Sequence, residues 1–548
     1  MTLSRSGLAK FEERFQAGDH RRMFSEDIRA EADVAVPLIL FEESRFELDT
    51  AALEKILLHE DVKDRNVVVL SVAGAFRKGK SFILNFFLRY LYHTYGSEVT
   101  VDADWMGSDD QPLRGFSWKG GSERDTAGIL MWSKVFLATT KEEEKIAIIL
   151  IDTQGTFDSG STVRECAIVF ALSTLISSIQ VYNLSQNIQE DDLQHLQLFS
   201  DYGKLAMQDT GSIPFQRLQF LVRDWFYTYE AAYGEDGGRK FLQKRLSVLP
   251  KQAPELQDTR RRIKSCFSEI GCFLMPFPGK KVTSNPHFDG RLSDIDEDFR
   301  TSLRELVTSL LSPENLLIKE ICGQKIKAKD LIQYFHSYVS AFGGEELPEP
   351  KSLLAATAEA NNLAALAAAK DIYSSQMEEI CKSHLSSQGL IVEHTRMKVE
   401  ALEDFNLKRK MGGEEFSEKY RIQLESDIEE MFQQFKRYNQ MKSSTTHAPG
   451  VALGIFAIFY FLSGVFSMLF LYTLANICNL IMCVSLLTLI VWTYSKCSGG
   501  LEEIGDIIDY ISVMMWECVF KPTYNAALNR TIKQVVNTAL PCEDKKSK

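Results

Sequence analysis

Long basic stretches are absent from this chain of 548 residues, whose net charge is −12. Nucleic acid is therefore a poor candidate partner, because phosphate backbones are bound by clustered Lys and Arg. The ten Cys residues include no C-x-x-C pair, which argues against a zinc site or a disulfide framework and fits a reduced cytosolic setting. The charged N-terminus lacks the apolar core of a signal peptide. The length predicts about two to four domains.

A second absence is confined to one segment, because no charged residue occurs between Gly450 and Lys496. Two apolar runs of ~20 residues each lie in this segment, and that is the length that a bilayer requires. The connection between them, near Tyr472, is too short for a soluble loop. The pattern predicts a transmembrane hairpin over 450–495, with a buried soluble helical hairpin as the alternative. Positive residues flank both outer ends, which predicts that both termini lie in the cytosol.

One stretch has the form of a phosphate-binding loop. Residues 74–81 follow the pattern G-x-x-x-x-G-K-S, with a β-branched run before them and an apolar helical segment after them. This context suits a P-loop, since free N–H groups at the helix start favour an anion and Gly74 and Gly79 let the backbone approach phosphates. Lys80 can reach the β- and γ-phosphates, and the Ser81 hydroxyl can ligate Mg²⁺. A plain glycine turn in an α/β sheet is the alternative.

Two further segments predict groups that hold a metal and face the γ-phosphate. The apolar run 146–151 is typical of a buried parallel strand, and it ends at Asp152, where a carboxylate can hold Mg²⁺ beside a P-loop. The N–H of Gly155 can face the γ-phosphate. In the polar, glycine-rich region 115–128, Thr126 is the candidate hydroxyl for Mg²⁺ and the γ-phosphate. A surface turn is the alternative for that region.

A third strand end supplies a candidate for reading the base. Residues 218–222 predict another buried strand, which runs into Arg223 and Asp224. An Asp there can accept hydrogen bonds from the N1–H and N2–H₂ edge of guanine. The dipeptide departs from the usual N-K-x-D, so the pattern alone does not establish guanine specificity, and a strand-end salt bridge is the alternative. The loop through Val282 and Asn285, after the last predicted strand, is a candidate wall for the base.

The order of these segments predicts the domain organisation. Strands alternate with helices up to about residue 340, which indicates an α/β domain with a mainly parallel sheet. An apolar run at 34–40 predicts an edge strand, because Pro37 cannot donate to a ladder. A helical pattern with two interruptions predicts a three-helix bundle, with a plain spacer as the alternative. The predicted segments are 1–30, a variable N-terminal region; 31–343, the α/β domain; 344–350, a linker; 351–441, the bundle; 450–495, the hairpin; and 496–548, a cytosolic tail.

The tail carries an amphipathic pattern. Its apolar positions are Ile504, Ile507, Ile508, Ile511, Met515 and Val519, and acids take the other side at Glu502, Glu503, Asp506 and Asp509. This spacing predicts an amphipathic helix that Pro522 ends or kinks. Beside a membrane, the helix is expected to lie in the interface. Packing against the chain's own helices is the alternative.

Several of these motifs together resemble the atlastins, which are dynamin-superfamily GTPases of the endoplasmic reticulum. The similar stretches are residues 74–81, 152–158, 223–225, 358–365 and 411–416, and the hairpin and its tail have the same order. The resemblance runs from about residue 34 to 530. It implies that 31–343 is a GTPase domain and that the Arg-Asp dipeptide replaces N-K-x-D, as in guanylate-binding proteins.

The resemblance also implies roles for individual residues. Arg77 lies where that group places a cis-acting arginine, which covers charge that develops on the phosphates; without the resemblance it would be a solvated loop cation. Thr156 follows Gly155, so the water-orienting Gln of Ras-type enzymes is missing. The predicted catalytic residues are Arg77, Lys80 and Thr126, and the predicted metal ligands are Ser81, Thr126 and Asp152. The predicted nucleotide-binding residues are Gly74, Arg77, Lys78, Gly79, Lys80, Ser81, Phe82, Gln154, Gly155, Arg223, Asp224, Val282 and Asn285.

The function that the resemblance implies is a membrane-anchored GTPase that uses Mg²⁺ and fuses endoplasmic reticulum membranes. GTP binding would pair GTPase domains from opposing membranes into a homodimer, and the helical bundles would then draw the bilayers together. GTP, a second copy of the chain and the lipid bilayer are the expected partners. The alternative is a nucleotide-regulated tether or hairpin curvature scaffold, which shapes tubules without fusing them.

Overall fold

A computed structural model describes most of the chain. The described residues are 33–42, 45–96, 104–118, 126, 128–155, 162–344, 347–382, 385–444, 448–498 and 502–522. By internal contacts the chain divides into two units, Met1–Asn361 and Asn362–Lys548. Each unit has its own apolar core.

The first unit is built on a mixed sheet. Its strands are β1 Ala35–Glu42, β2 Arg45–Leu48, β3 Asn66–Gly74, β4 Ile129–Trp132, β5 Phe136–Thr139, β6 Lys145–Thr153, β7 Ile179–Ser185, β8 Phe215–Arg223 and β9 Phe267–Leu274. In the described part of the chain they run in the order β2-β1-β4-β6-β3-β7-β8-β9, with β5 also paired to β6. β6, β3, β7, β8 and β9 are parallel, which confirms the predicted mainly parallel sheet. A separate antiparallel ribbon joins β10 Glu320–Ile321 to β11 Gln324–Lys325.

The central strands are buried along nearly their whole length. β3 and β6 each expose only their first residue, in keeping with strands that helices cover on both faces. The predicted strands at 146–151 and 218–222 lie within β6 and β8. β7 was not predicted, yet it lies at the centre of the sheet between β3 and β8. The carboxyl ends of β3, β6 and β8 therefore meet at one edge.

The prediction of an edge strand at 34–40 is wrong for the order of the sheet, because β2 lies outside β1. β1 pairs with β4 through Ala35–Ile39 and with β2 through Ile39–Glu42, so the residues around Pro37 have a ladder on one side only. The ladder to β4 shifts register between Pro37 and Ile39. One-sided pairing and this irregularity both suit Pro37, which has no N–H to donate.

Helices cover the sheet of the first unit. Their bounds are Thr50–Leu57, Lys80–Tyr95, Val163–Ile176, Glu190–Gln194, Gln197–Thr210, Gly234–Arg245, Pro254–Cys266, Lys280–Ser284, Glu297–Leu311 and Ala328–Phe342, with a 3₁₀ turn at Leu292–Asp294. The helix Lys80–Tyr95 packs against β3 and against Glu297–Leu311, and its first half is almost entirely buried. A helix buried this way is held firmly, which fixes the position of the loop that precedes it.

The second unit contains a three-helix arrangement followed by the apolar helices. The helices are Pro350–Ile380, whose first turns belong to the first unit, then Ser387–Leu407, Gly413–Ser444, Ala448–Met468, Tyr472–Ser498 and Glu502–Met515, with a π turn at Trp516–Phe520. Residues from the first three of these helices form one core, which includes Tyr373, Met397 and Ile428. Ser387–Leu407 begins at the second residue of the predicted break at 386–389, and Gly413–Ser444 begins at the second residue of the predicted break at 412–413.

In the described part of the chain, two helices are long and apolar enough to cross a membrane. They are Ala448–Met468, with mean hydropathy 2.1, and Tyr472–Ser495 within the second helix, with mean hydropathy 2.3. Only residues 469–471 separate the helices, and polar contacts join the pair. The Ser485 hydroxyl donates to the Ala452 carbonyl at 2.7 Å, and the Ser463 hydroxyl donates to the Asn479 amide oxygen at 2.8 Å. Side-chain hydrogen bonds of this kind hold helices together where no water competes.

Candidate functional site

A cleft of about 340 Å³ opens at the carboxyl edge of the sheet. The loop after β3, the ends of β6 and β8, and the segment after β9 form its walls. Its lining residues are Phe76, Arg77, Lys78, Gly79, Lys80, Ser81, Phe82, Ser117, Trp118, Thr126, Gly155, Arg223, Asp224, Phe277, Pro278, Val282, Thr283, Asn285, Pro286 and Phe288. In doubly wound sheets ligands bind outside the carboxyl ends of the strands, so the cleft lies where a nucleotide is expected.

The loop after β3 leads directly into a helix N-terminus. Gly79 is the N-cap of Lys80–Tyr95 with φ 72°, a conformation that favours glycine, and it has no side chain with which to cap the helix. The helix has no acid in its first turn. The Lys80 ammonium donates to the Ala75 carbonyl at 3.3 Å, which folds its side chain back over the loop. The N–H groups of the first turn and the positive helix end therefore suit an anion.

Two buried side chains support this loop from below. The Arg223 guanidinium donates to the Lys78 carbonyl at 3.3 Å, and the Asn183 amide donates to the same carbonyl at 3.0 Å. A Cβ on Gly79 would lie 3.1 Å from the Arg223 guanidinium, so the loop and the arginine are in close contact. Burial lowers the pKa of Arg223, and the neighbouring Asp224 opposes this effect. Arg223 thus contacts the loop backbone as well as the cleft.

Glycine is required at position 74 for a reason other than the predicted approach of the backbone to phosphates. Its φ is 142°, and a Cβ on it would lie 2.1 Å from the Asn183 carbonyl of β7. Gly74 is therefore required by the close approach of β3 to β7 at the sheet edge. It does not line the cleft.

Two hydroxyls and a carboxylate from three separate segments meet beside Lys80. The Ser81 hydroxyl donates to Asp152 Oδ2 at 2.5 Å. The Thr126 hydroxyl lies 3.3 Å from that of Ser81 and donates to the same carboxylate at 3.4 Å. Burial raises the pKa of Asp152 to about 6, and the Ser81 hydrogen bond and the Lys80 charge oppose the rise. These are hard oxygen donors of the type that Mg²⁺ prefers, and at pH 7 the carboxylate is mainly ionised.

Gln154 and Gly155 link the end of β6 to neighbouring segments. The Gln154 side-chain oxygen accepts from the Gly128 N–H at 2.8 Å, and the Gln154 backbone N–H donates to the Gly128 carbonyl at 2.8 Å. Gln154 therefore ties β6 to the residues after Thr126. A Cβ on Gly155 would lie 2.4 Å from the Cα of Phe76, so Gly155 packs directly on the phosphate-binding loop.

Arg77 and Asp224 both have the left-handed backbone conformation. Arg77 has φ 58° and Asp224 has φ 55°, and both residues line the cleft. The Arg77 guanidinium carbon lies 5.7 Å from the centre of the Phe76 ring. Non-glycine residues in this conformation are disfavoured and are concentrated at functional sites. The two strained residues are the ones predicted to act on the phosphates and on the base.

Aromatic residues form one side of the cleft, and the sequence analysis predicted Phe82 among them but missed Trp118 and Phe288. The rings of Phe82 and Trp118 are 5.2 Å apart, and the rings of Trp118 and Phe288 are 5.6 Å apart. Val282 and Asn285, which were predicted near the base, lie on the same side. Trp118 stands in the glycine-rich region already singled out, but nothing in that region's pattern indicated a ring wall. An apolar wall of this type can cover the flat face of a base.

The predicted site residues fall into two groups. Those that line the cleft are Arg77, Lys78, Gly79, Lys80, Ser81, Phe82, Thr126, Gly155, Arg223, Asp224, Val282 and Asn285. Gly74, Asp152 and Gln154 lie behind this lining, where Asp152 acts through its contacts with Ser81 and Thr126. Among the described residues, no cluster of three or more His, Cys, Asp or Glu side chains could hold a metal ion. A metal site here would therefore depend on hydroxyls.

Comparison with known proteins gives consistent matches along the chain. Residues 43–320 match the family "Guanylate-binding protein, N-terminal domain", and residues 323–447 match "Guanylate-binding protein, C-terminal domain". The chain is 56% identical to Atlastin of Drosophila melanogaster over 91% of its own length and 93% of the relative's. It is 50% identical to Atlastin-1 of Rattus norvegicus over 93% and 92% of the two chains, and 49% identical to Atlastin-2 of Xenopus laevis over 94% and 92%.

Proposed function

The chain belongs to the atlastin family of dynamin-superfamily GTPases and hydrolyses GTP, and from this we propose that it tethers and fuses membranes of the endoplasmic reticulum. One observation carries the proposal. A single chain joins a nucleotide cleft to two membrane-length apolar helices that are separated by only residues 469–471. A GTPase anchored in this way can apply a nucleotide-driven movement to a bilayer. The endoplasmic reticulum location rests on the family alone.

The cleft residues suggest how GTP is held. The N–H groups at the start of Lys80–Tyr95 and the Lys80 ammonium would bind the phosphates, and Asp224 would accept from the guanine edge. Ser81, Thr126 and Asp152 would hold Mg²⁺, which neutralises charge on the phosphates when bound. The aromatic side of the cleft would cover the base.

Arg77 is the proposed source of charge stabilisation during hydrolysis. Arg77 lines the cleft next to Phe76, and its left-handed backbone conformation sets the direction in which its side chain leaves the loop. A guanidinium supplied in cis can stabilise charge on the transferring phosphoryl group. Arg77 is on the loop that Gly155 contacts. A movement of Gly155 at the end of β6 would therefore shift the position of this arginine.

GTP-dependent pairing of two copies from opposing membranes is the proposed tethering step. The anchor would keep the two ends of the chain on the cytosolic side, as the positive residues flanking the hairpin favour. Hydrolysis would then change the arrangement of the paired copies and bring the bilayers together.

Lipid mixing between two populations of proteoliposomes tests this function. Full-length chain with GTP should mix lipids, whereas the same chain with a non-hydrolysable GTP analogue should tether vesicles without mixing. Lys80→Ala, which loses the main phosphate cation, is the control for nucleotide dependence. If GTP is hydrolysed and the vesicles become curved or tethered but their lipids never mix, the chain is instead a nucleotide-regulated scaffold.

A further inference from the structure

The tail helix, which comprises residues 502–520, meets the hairpin through its polar face. Gly505, Asp509 and Ser512 are buried, although Asp509 was predicted on the solvated side. The apolar residues Ile504, Ile507, Ile511 and Val519 are instead 42–57% exposed. The amphipathic pattern is therefore real, but the helix turns its small and polar residues toward the chain and its isoleucines away from it.

Three contacts join the tail helix to both hairpin helices. The Trp492 indole N–H donates to Asp509 Oδ1 at 2.7 Å, and Asp509 is only 1% exposed. A Cβ on Gly505 would lie 2.2 Å from the Ser495 hydroxyl, so the second hairpin helix and the tail helix are in backbone-close contact. On the first hairpin helix, a Cβ on Gly454 would lie 2.8 Å from the Phe520 ring.

The π turn at residues 516–520 extends this contact face. From Gly505, an α-helix returns to the same side near residues 509, 512 and 516 and would next present residue 519 or 520. A π turn adds about one residue to a turn, which favours Phe520 over Val519 on the hairpin side. The exposure agrees, since Val519 is 51% exposed while Phe520 lies against Gly454.

The contacts also set the position of the tail helix along the length of the hairpin. Gly454 is near the start of the first hairpin helix, and Trp492 and Ser495 are near the end of the second. All three positions therefore belong to the end of the hairpin that carries the rest of the chain. Trp residues concentrate at membrane–water interfaces, which is where this level would fall.

We propose that the hairpin clasps the tail helix at the membrane surface, so that the two form one anchor with the tail isoleucines facing lipid. A carboxylate at this depth requires a partner, and the Trp492 indole supplies one. Gly505 supplies the close approach that the contact needs. The inference deepens the proposed function, because a clasped helix would widen the anchor on one side of the bilayer only.

The variant Gly505→Ala distinguishes contact between the tail helix and the hairpin from formation of the tail helix itself. Alanine favours the helix relative to glycine, yet its Cβ would overlap the Ser495 hydroxyl. The double variant Gly505→Ala with Ser495→Gly restores the space. Tyr510→Phe, at a residue 73% exposed on the tail helix, is the matched control because it changes the outward face only.

Photo-crosslinking in proteoliposomes without nucleotide measures the clasp. A benzophenone amino acid in place of Phe520, whose ring lies against Gly454, should crosslink to peptides from 448–468 in the parent chain and in Tyr510→Phe. The yield should fall at least ~5-fold in Gly505→Ala, the equivalent of one lost hydrogen bond or more, and recover in the double variant. Trp492→Phe, which loses only the N–H donor, should lower it as well.

Equal crosslinking in the parent and in Gly505→Ala would overturn the proposal. So would a fall that the double variant fails to reverse, because the loss would then not come from the Gly505 contact. These outcomes do not depend on fusion, since crosslinking needs neither GTP nor a second membrane. A chain that crosslinks as expected but never mixes lipids would retain the clasp and lose only the fusion function.

Discussion

Replacing Arg77 by alanine and by glycine should separate the strain of this residue from its chemistry. Its φ of 58° costs a non-glycine residue ~1–2 kcal/mol. Glycine removes that cost but gives the unfolded chain ~0.4–1 kcal/mol more entropy, so Arg77→Gly should be more stable than Arg77→Ala by roughly 1 kcal/mol. In a unit of this size the difference corresponds to a gap of about 2 °C in melting temperature.

Hydrolysis should not follow that stability order. Both variants lose the guanidinium, and a supplied arginine can be worth ~10³ in rate, so both should hydrolyse GTP more slowly by a similar factor. Single-turnover hydrolysis at saturating GTP measures the rate, calorimetry measures GTP affinity, and scanning fluorimetry measures the melting temperature. Arg77→Lys is the matched control, because it keeps the charge without the planar fork and should recover only part of the rate.

Two results would refute this reasoning at separate points. If Arg77→Ala hydrolyses saturating GTP within about threefold of the parent rate, Arg77 does not stabilise the transition state. If the alanine variant melts at the same temperature as the glycine variant or above it, the strain does not exceed the ~0.4–1 kcal/mol that glycine loses through the unfolded chain. A large loss of GTP affinity in both variants would instead make Arg77 a binding residue.

Two further predictions concern the base and the bundle. Asp224→Asn should change the order of affinities from GTP over XTP to XTP over GTP, since xanthine presents a carbonyl at C2 and Asn tolerates the φ of 55°; an unchanged order by calorimetry means that Asp224 does not read the base. His394 is buried beside Tyr373, and burial lowers its pKa although Glu429 opposes this. Its neutral form is favoured on folding, so stability should be full above pH 6.5 and fall as the pH drops through the lowered pKa. Hydrogen-exchange protection of 387–407, corrected for intrinsic rates, should therefore weaken below that pH, and His394→Gln should flatten the dependence; an equal slope in both chains would exclude His394 as the source.

The strands could be predicted where apolar residues clearly dominate a run and could not where polar residues are more frequent. β6 was found from a continuous apolar run, and β3 and β8 from runs that Ser71 and Gln219 interrupt once each. β7 was missed because it carries Gln180 and Asn183, which are nonetheless buried. Gln180 accepts from the hydroxyls of Ser71 and Ser177, and Asn183 donates to the P-loop backbone. Ser71 and the Lys78 carbonyl come from distant segments, so a local pattern cannot show that these two side chains have partners for burial.

The candidate site also contains both residues that could be predicted from the sequence and residues that could not. Ser81, Thr126 and Asp152 were singled out because the chemistry of a phosphate site restricts residue type and context, and the structure brings them together. The contact between Trp118 and Phe288 has no such signature, since aromatic residues far apart in the sequence are common in cores. The role of Gly74 against β7 depended on the same unpredicted strand.

The short connection at residues 469–471 has a consequence for how the chain reaches its membrane. No charged residue lies between Gly450 and Lys496, so insertion of the pair transfers no charge across the bilayer. A charge at the centre of a spanning helix would cost ~2.5–3.5 kcal/mol. Because the two helices are already joined by side-chain hydrogen bonds, the pair can enter from one side as a preassembled unit. With both ends on the cytosolic side, as proposed above, biogenesis of this anchor would require no translocated domain, and the opposite compartment would receive almost no surface for its own enzymes or chaperones to act on.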